Sequence, residues 1–344
     1  MITEFYKSIS TRDDGVIIDN KILDAIDSID AANLNITNVI TLHHVRNLAT
    51  AIFAVVMETE DVAQLLTSNK NLCTLNITPA QASRGIHALR AYMAKCASIV
   101  RRLEYDLNHK EYSQANNSRF LYDALGIVAI TNFAGLNVAN YVSDYIKKYS
   151  ISASKNDINM LSNSIHESII VDLAAKIHSI VVDCCANNKE VSRQFVMNTF
   201  FQRIQNNQND NDVQKRIHSD TYFSALKFWY FPEDVTLEDG PFEYVIGSHA
   251  LNLERLKWIH EQSMSYYDGS LDTASRTYGH AEGSLTAFPE EIRRMNYPTI
   301  MPMTVKADTL VIANVFGFHA RGNATGTRIR NSIHGSIRFE NPFD

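Results

Sequence analysis

From Phe195 onward the chain drops the three- and four-residue hydrophobic spacing of its first part, and this switch of period limits the fold more than any other feature. Before it, ILDAIDSIDAAN, VRNLATAIFAVVMETEDVAQLL and TPAQASRGIHALRAYMAKCASIVRRLEYDL carry apolar residues at helical spacing. In the last of these Thr78 precedes Pro79, an N-cap followed by a first-turn proline. After it, FVMNTFFQRI, FSALKFWYF, FEYVIG, TIMPMTV, TLVIANVF and IRNSIHGSIRF are short β-branched or aromatic runs separated by Gly, Pro, Asn and Asp. Such runs predict an antiparallel sandwich or barrel rather than alternating β and α units. Between the two regimes, LYDALGIVAITNF predicts a short strand between turns, and NVANYVSDYIKKY and SIHESIIVDLAAKIHSIVVDCC predict helices.

The resulting division is α+β: a helical region over 1–115 and a β domain over 116–344. The helical region reads as a docking or homo-oligomerisation module, or as packing for the sheet. Its histidines His43, His44, His87 and His109 read as ordinary helix residues. Residues 251–298 lack strand grammar, opening as a helix, LNLERLKWIHEQSMSYY, and continuing as a Gly/Ser/Thr-rich loop. An insertion of that length in a β domain reads as a lid or substrate-recognition segment. Arg255, Lys257, Arg276, Arg293 and Arg294 are its candidate contacts to an anionic substrate, and Trp258, Tyr266 and Tyr267 its candidate ring-stacking residues. Any one of them alone reads as part of a solvated helix or a mobile loop.

Composition removes several function classes. The net charge of −6 and pI near 6.1 give no global basic field for nucleic acid. No apolar run approaches the roughly 20 residues a membrane-spanning helix needs. MITEFYKSISTRDDG has no apolar core of a secretory signal. Cys73, Cys96, Cys184 and Cys185 show neither zinc spacing nor a disulfide framework, which fits reduced thiols and a cytoplasmic setting.

Chemistry enters at QKRIHSDTYF, residues 214–223. His218 and Asp220 are two apart on an expected strand, so both face the same side. Twelve histidines among 38 acidic residues in 344 positions produce roughly one His-x-Asp/Glu by chance, and His109-Lys-Glu111 and His280-Ala-Glu282 are further instances. Context separates them. His218-x-Asp220 opens a strand-like run, and another such run, TLVIANVFGFHARG, brings in His319. A sandwich sets distant strands side by side, so two imidazoles and one carboxylate can meet on one face, leaving three coordination positions open as in non-haem Fe(II) oxygenases. Arg330, on the next expected strand, offers a fork for the far carboxylate of a dicarboxylate co-substrate, and Ser332 would add a hydroxyl on the same face. Arg328 shares that face too, and Arg321 is close in sequence, so strand periodicity does not separate them; the eleven-residue spacing from His319 and the Arg-x-Ser pattern favour Arg330. Lys227 is expected to contact the co-substrate or substrate, or else to snorkel from an edge. His249 and Trp229 read as structural, and Gln214 as solvated.

HSDTYFSALKFWYFPEDVTLEDGPFEYVIGSH, TLVIANVFGFHARGNATGTRIR and the closing ENPF resemble the phytanoyl-CoA dioxygenase-like family of Fe(II)/2-oxoglutarate oxygenases. The resemblance covers roughly residues 118–344, starting at SRFLYDALGIVAITNF, and leaves out the helical region. It implies a double-stranded β-helix (a cupin-like jelly roll), with His218, Asp220 and His319 as iron ligands and Arg330 as the 2-oxoglutarate anchor. It further implies O₂-dependent conversion of 2-oxoglutarate to succinate and CO₂, coupled to hydroxylation of a small or carrier-linked metabolite. Related halogenases replace the carboxylate ligand by a small residue, so Asp220 favours hydroxylation. Desaturation, epoxidation and cyclisation on the same iron stay open, as does a non-catalytic cupin-like binding role.

Overall fold

The computed structural model describes residues 117–149, 168–185, 195–204, 212–221, 225–267 and 284–339, together with Ala94. The expectations for the rest of region 1–115, and for Arg276, His280 and Glu282, lie outside the described residues. The helices are α1 (Asn117–Leu125), α2 (Leu136–Tyr149), α3 (Ser168–Cys185), α4 (Leu253–Tyr267) and α5 (Pro289–Arg294). The strands are β1 (Ile127–Thr131), β2 (Phe195–Ile204), β3 (His218–Ser219), β4 (Leu226–Phe231), β5 (Phe242–Tyr244), β6 (Leu285–Thr286), β7 (Met301–Pro302), β8 (Thr309–Asn314), β9 (His319–Arg321) and β10 (Arg330–Phe339).

They form two five-stranded sheets, β1-β8-β4-β10-β2 and β6-β3-β9-β5-β7, paired antiparallel throughout. From β2 to β5 and again from β8 to β10 the chain changes sheet at each strand. The period-2 alternation of each strand decides what packs where. On β4, Leu226, Phe228 and Tyr230 join Leu310, Ile312, Ile333 and Ile337 against Val142, Ile146, Ile177 and Val181 of helices α2 and α3. Trp229 and Phe231, on the other face, meet Val311, Phe242 and Tyr244 between the sheets. Each fully buried side chain of this kind contributes about 1.5–3 kcal/mol. Helices thus cover one face of the first sheet, and its other face closes the interior where the conspicuous polar residues collect.

LYDALGIVAITNF divides differently from the expectation of a strand between turns: its first half closes α1, and only Ile127–Thr131 is strand. Gly126 makes the break. It takes φ +78°, its N–H donates to the Tyr122 carbonyl at 2.8 Å, and a side chain there would collide with the His249 ring and the Tyr244 hydroxyl. Tyr122 is buried beneath the helix, so helical periodicity wins over the apolar run. The chain after β1 is clamped by Asp308, whose carboxylate accepts from the amides of Ala134 and Gly135 and the Tyr230 hydroxyl at 2.7–2.9 Å. The 251–298 segment holds the expected helix, α4, but also β6, which pairs with β3 and so belongs to the sheet of His218. Cys184 is buried. Among the described residues no helix is long and apolar enough to cross a membrane.

Candidate metal centre

β3 and β9 lie side by side in the second sheet, with His218 directly opposite His319. Their ring centroids are 4.4 Å apart. Asp220 follows β3, its amide donating to the Val315 carbonyl at 3.0 Å, which docks it on the segment leading to His319. Asp220 Oδ1 stands 3.4 Å from His218 Nε2 and 3.7 Å from His319 Nε2. One ligand atom from each of the three residues falls within 4.8 Å of the others.

The tautomers favour coordination. His218 Nδ1 lies 2.7 Å from the Arg216 carbonyl, and His319 Nδ1 lies 2.9 Å from the Gly317 carbonyl. A carbonyl only accepts, so each Nδ1 carries the proton and each Nε2 keeps its lone pair. Both Nε2 atoms are buried and without a hydrogen-bond partner. Burial, with His218 beside it, pushes the His319 pKa down to about 3, which keeps the ring neutral. Burial alone would raise Asp220, but the Lys227 ammonium beside it holds its carboxyl well below the ordinary range. Two neutral imidazoles and a carboxylate, with backbone acceptors orienting the rings, are a donor set that fits a divalent first-row metal.

Arg330 opens β10, and its alternation puts Arg330, Ser332 and His334 on the interior face. Arg330 is 5% exposed, donates to the Gly240 carbonyl, and leaves its Nε without a partner. Burial and the nearby Arg321 push its pKa down to about 9, so this cation is short of negative charge. Arg328 differs: it is committed to Asp239 through Nε, at 2.9 Å, and Nη2. Arg321 is paired with Asp212. Geometry therefore separates three arginines that strand periodicity left together. Ser332 is fully buried, its Oγ 3.5 Å from Gln202 Oε1, too long for a strong hydrogen bond. Lys227 shares the interior face of β4, but its ammonium lies 2.5 Å from Asp220 Oδ2 in an ion pair rather than facing open space.

His334 was not singled out by sequence. It stacks on Trp229 at 4.8 Å and is kept neutral by burial, with a pKa near 3. Lys227, Asp220 and Arg330 all act on it electrostatically. The signal was available: His334 is four residues from Arg330 on one strand, hence on the same face.

Several expected substrate contacts are used otherwise. Arg255 is 1% exposed and donates to the Ser248 and Phe316 carbonyls. Trp258 is buried edge-on against Phe318, at 5.4 Å and 78°. Lys257 pairs with Glu254, and Arg294 with Glu261. Arg293 is exposed, and the Tyr266 and Tyr267 side chains lie outside the described ones. His249 binds the Asp123 carbonyl at 2.9 Å, a structural role as expected, and Gln214 is exposed.

No protein-family model and no curated protein matches the chain. Solved structures match it at low likeness. The non-heme alpha ketoglutarate dependent epimerase SnoN from nogalamycin biosynthesis is 15% identical, with a TM-score of 0.44 over 64% of this chain and 81% of its own. HygX from Streptomyces hygroscopicus, with nickel and 2-oxoglutarate bound, is 13% identical, with a TM-score of 0.42 over 65% and 87%. The alpha ketoglutarate dependent carbocyclase SnoK from nogalamycin biosynthesis is 14% identical, with a TM-score of 0.39 over 66% and 85%. Likeness of this size carries no weight for activity, so what the chain can do rests on its own residues.

Proposed function

We propose that the protein is an Fe(II)/2-oxoglutarate-dependent oxygenase that hydroxylates an unactivated C–H bond of a small or carrier-linked metabolite. One oxygen atom of O₂ would enter succinate as CO₂ leaves, and the other would enter the product. The observation that carries this reading is the pair of buried, partnerless Nε2 atoms aimed at one carboxylate across neighbouring strands. The change of sheet at successive strands supports a double-stranded β-helix, and the motifs quoted above support its phytanoyl-CoA dioxygenase-like kind.

His218, Asp220 and His319 would hold the iron. Bound there, the metal supplies the redox chemistry that links decarboxylation of the 2-oxo acid to oxidation of the substrate. The protein's own part is orientation and exclusion of water. Backbone carbonyls fix both imidazole tautomers, and Lys227 holds Asp220 Oδ2 so that Oδ1 faces the rings. Arg330, buried and short of negative charge, would clasp the far carboxylate of 2-oxoglutarate, with the Ser332 hydroxyl beside it. Lys227 would reach the co-substrate only by leaving its ion pair.

The test is succinate release from Fe(II), 2-oxoglutarate and O₂ across a metabolite library. At least one compound should stimulate release and gain one oxygen atom with the native protein, and none should with Asp220→Ala. Release no greater than that of Asp220→Ala with every compound would contradict the reading.

A further inference from the structure

We propose that Arg255 is a positioning residue for the metal site, a cation built into the core to fix the turn that aims His319 at Asp220. This rests on the metal-centre reading above. Arg255 stands in the first turn of α4, where its amide donates to Asn252 Oδ1 at 2.8 Å. Asn252 in turn donates to the Met295 carbonyl at 2.7 Å, so the start of the helix is tied down before the arginine leaves it. The guanidinium carbon lies 3.9 Å from the Phe316 ring centroid and 4.2 Å from that of Phe318. Nη1 donates to the Ser248 carbonyl and Nη2 to that of Phe316.

A guanidinium is expensive to bury without a counter-charge, and its interactions here are with two carbonyls, two aromatic faces and the Tyr297 phenol, not with a carboxylate. What those partners share is their place in the chain. Phe316 and Phe318 flank Gly317, whose carbonyl holds His319 Nδ1. Ser248, the other acceptor, takes the Phe318 amide on its Oγ at 2.8 Å. Phe318 passes its own carbonyl to the Val245 amide at 2.9 Å. Arg255 therefore cross-links the turn at Ser248 to the Phe316–Phe318 segment, whose Gly317 carbonyl orients the second imidazole. No other buried cation among the described residues is bonded to this turn. Lysine at this position would keep the charge but has no fork to reach two carbonyls at once.

Binding of Co(II), followed by its visible absorption under anaerobic conditions, reads the site without turnover. Arg255→Lys and Arg255→Gln should lower Co(II) affinity about tenfold or more while far-UV circular dichroism stays native, as expected for lost outer support of a ligand. Glu233→Gln, which breaks a remote cluster with Ser143, Lys147 and Asn331, should lower the melting temperature and leave Co(II) affinity within about twofold of native. A folded Arg255 variant with native affinity overturns the proposal. If neither Arg255 variant folds, Ser248→Ala decides: it should weaken Co(II) binding by about threefold or more, and unchanged affinity overturns the proposal. Failure of the native protein to bind Co(II) would instead overturn the metal-centre reading itself.

Discussion

His218 and His319 face each other across neighbouring antiparallel strands, ring centroids 4.4 Å apart, each with Nδ1 on the carbonyl two residues before it in the chain. The matching local bond sets both rings in the same tautomer and leaves two nitrogen lone pairs, with the Asp220 carboxylate within 4 Å of both. Buried, unsatisfied acceptors are costly, and two of them converging on a carboxylate make sense once a cation is shared among them.

Removing any one ligand should therefore abolish tight metal binding. Asp220→Ala and His319→Ala are each expected to lower Co(II) affinity by at least about a hundredfold, measured by anaerobic titration. Affinity within a few-fold of native in either variant would place the metal elsewhere.

Arg330 and Arg328 should separate cleanly. Arg330→Met removes a buried charge-assisted donor and should weaken 2-oxoglutarate binding about tenfold to a hundredfold, with metal affinity nearly unchanged. Arg328→Met breaks the pair with Asp239 and should cost stability but leave 2-oxoglutarate binding nearly native. Calorimetry on the metal-loaded protein distinguishes the two, and the reverse ranking would exchange their roles.

Asp239 gives a pH dependence. Burial would raise its pKa, but hydrogen bonds from Arg328 and Thr236 hold it at about 2, below the ordinary 3.8. A depressed carboxyl stabilises the fold above its unfolded pKa and loses that contribution as pH falls through the folded one. Asp239→Asn should thus melt below the native protein at pH 7, with the gap closing between about pH 4 and 2. A gap independent of pH would mean the charge contributes nothing.

Gly317 sits where a side chain would collide with the Tyr244 hydroxyl, which donates to the Asn314 carbonyl at 2.9 Å. Gly317→Ala should cost about 1–3 kcal/mol in a denaturant melt and weaken Co(II) binding, because the Gly317 carbonyl holds His319. Adding Tyr244→Phe removes the colliding oxygen and should recover part of the stability. Strictly additive losses would show that the two positions do not touch.

The placement of the three candidate ligands was legible because strand alternation and strand adjacency are simple rules. His218 and Asp220 share a face by spacing, and a sandwich brings the run ending in His319 alongside. Period-2 counting also put Ser332 with Arg330, and would have put His334 there. It could not divide Arg328 from Arg330, which depends on Asp239, a residue far off in sequence that claims only the first. Arg255 was misread for the same reason. A basic residue at the start of a polar helix looks solvated until the fold lays Phe316 and Phe318 over it. β6 was missed because Leu285–Thr286 is too short to show a pattern, its pairing with His218–Ser219 being set by the neighbouring strand.

The most direct measurement is an anaerobic spectrum of the native protein with Fe(II) and 2-oxoglutarate, compared with Asp220→Ala. A weak visible charge-transfer band that saturates at one iron per chain, and is missing from the variant, is the expected result. A native protein that takes up Fe(II) and 2-oxoglutarate without such a band, or with the same band after Asp220 is removed, would contradict it.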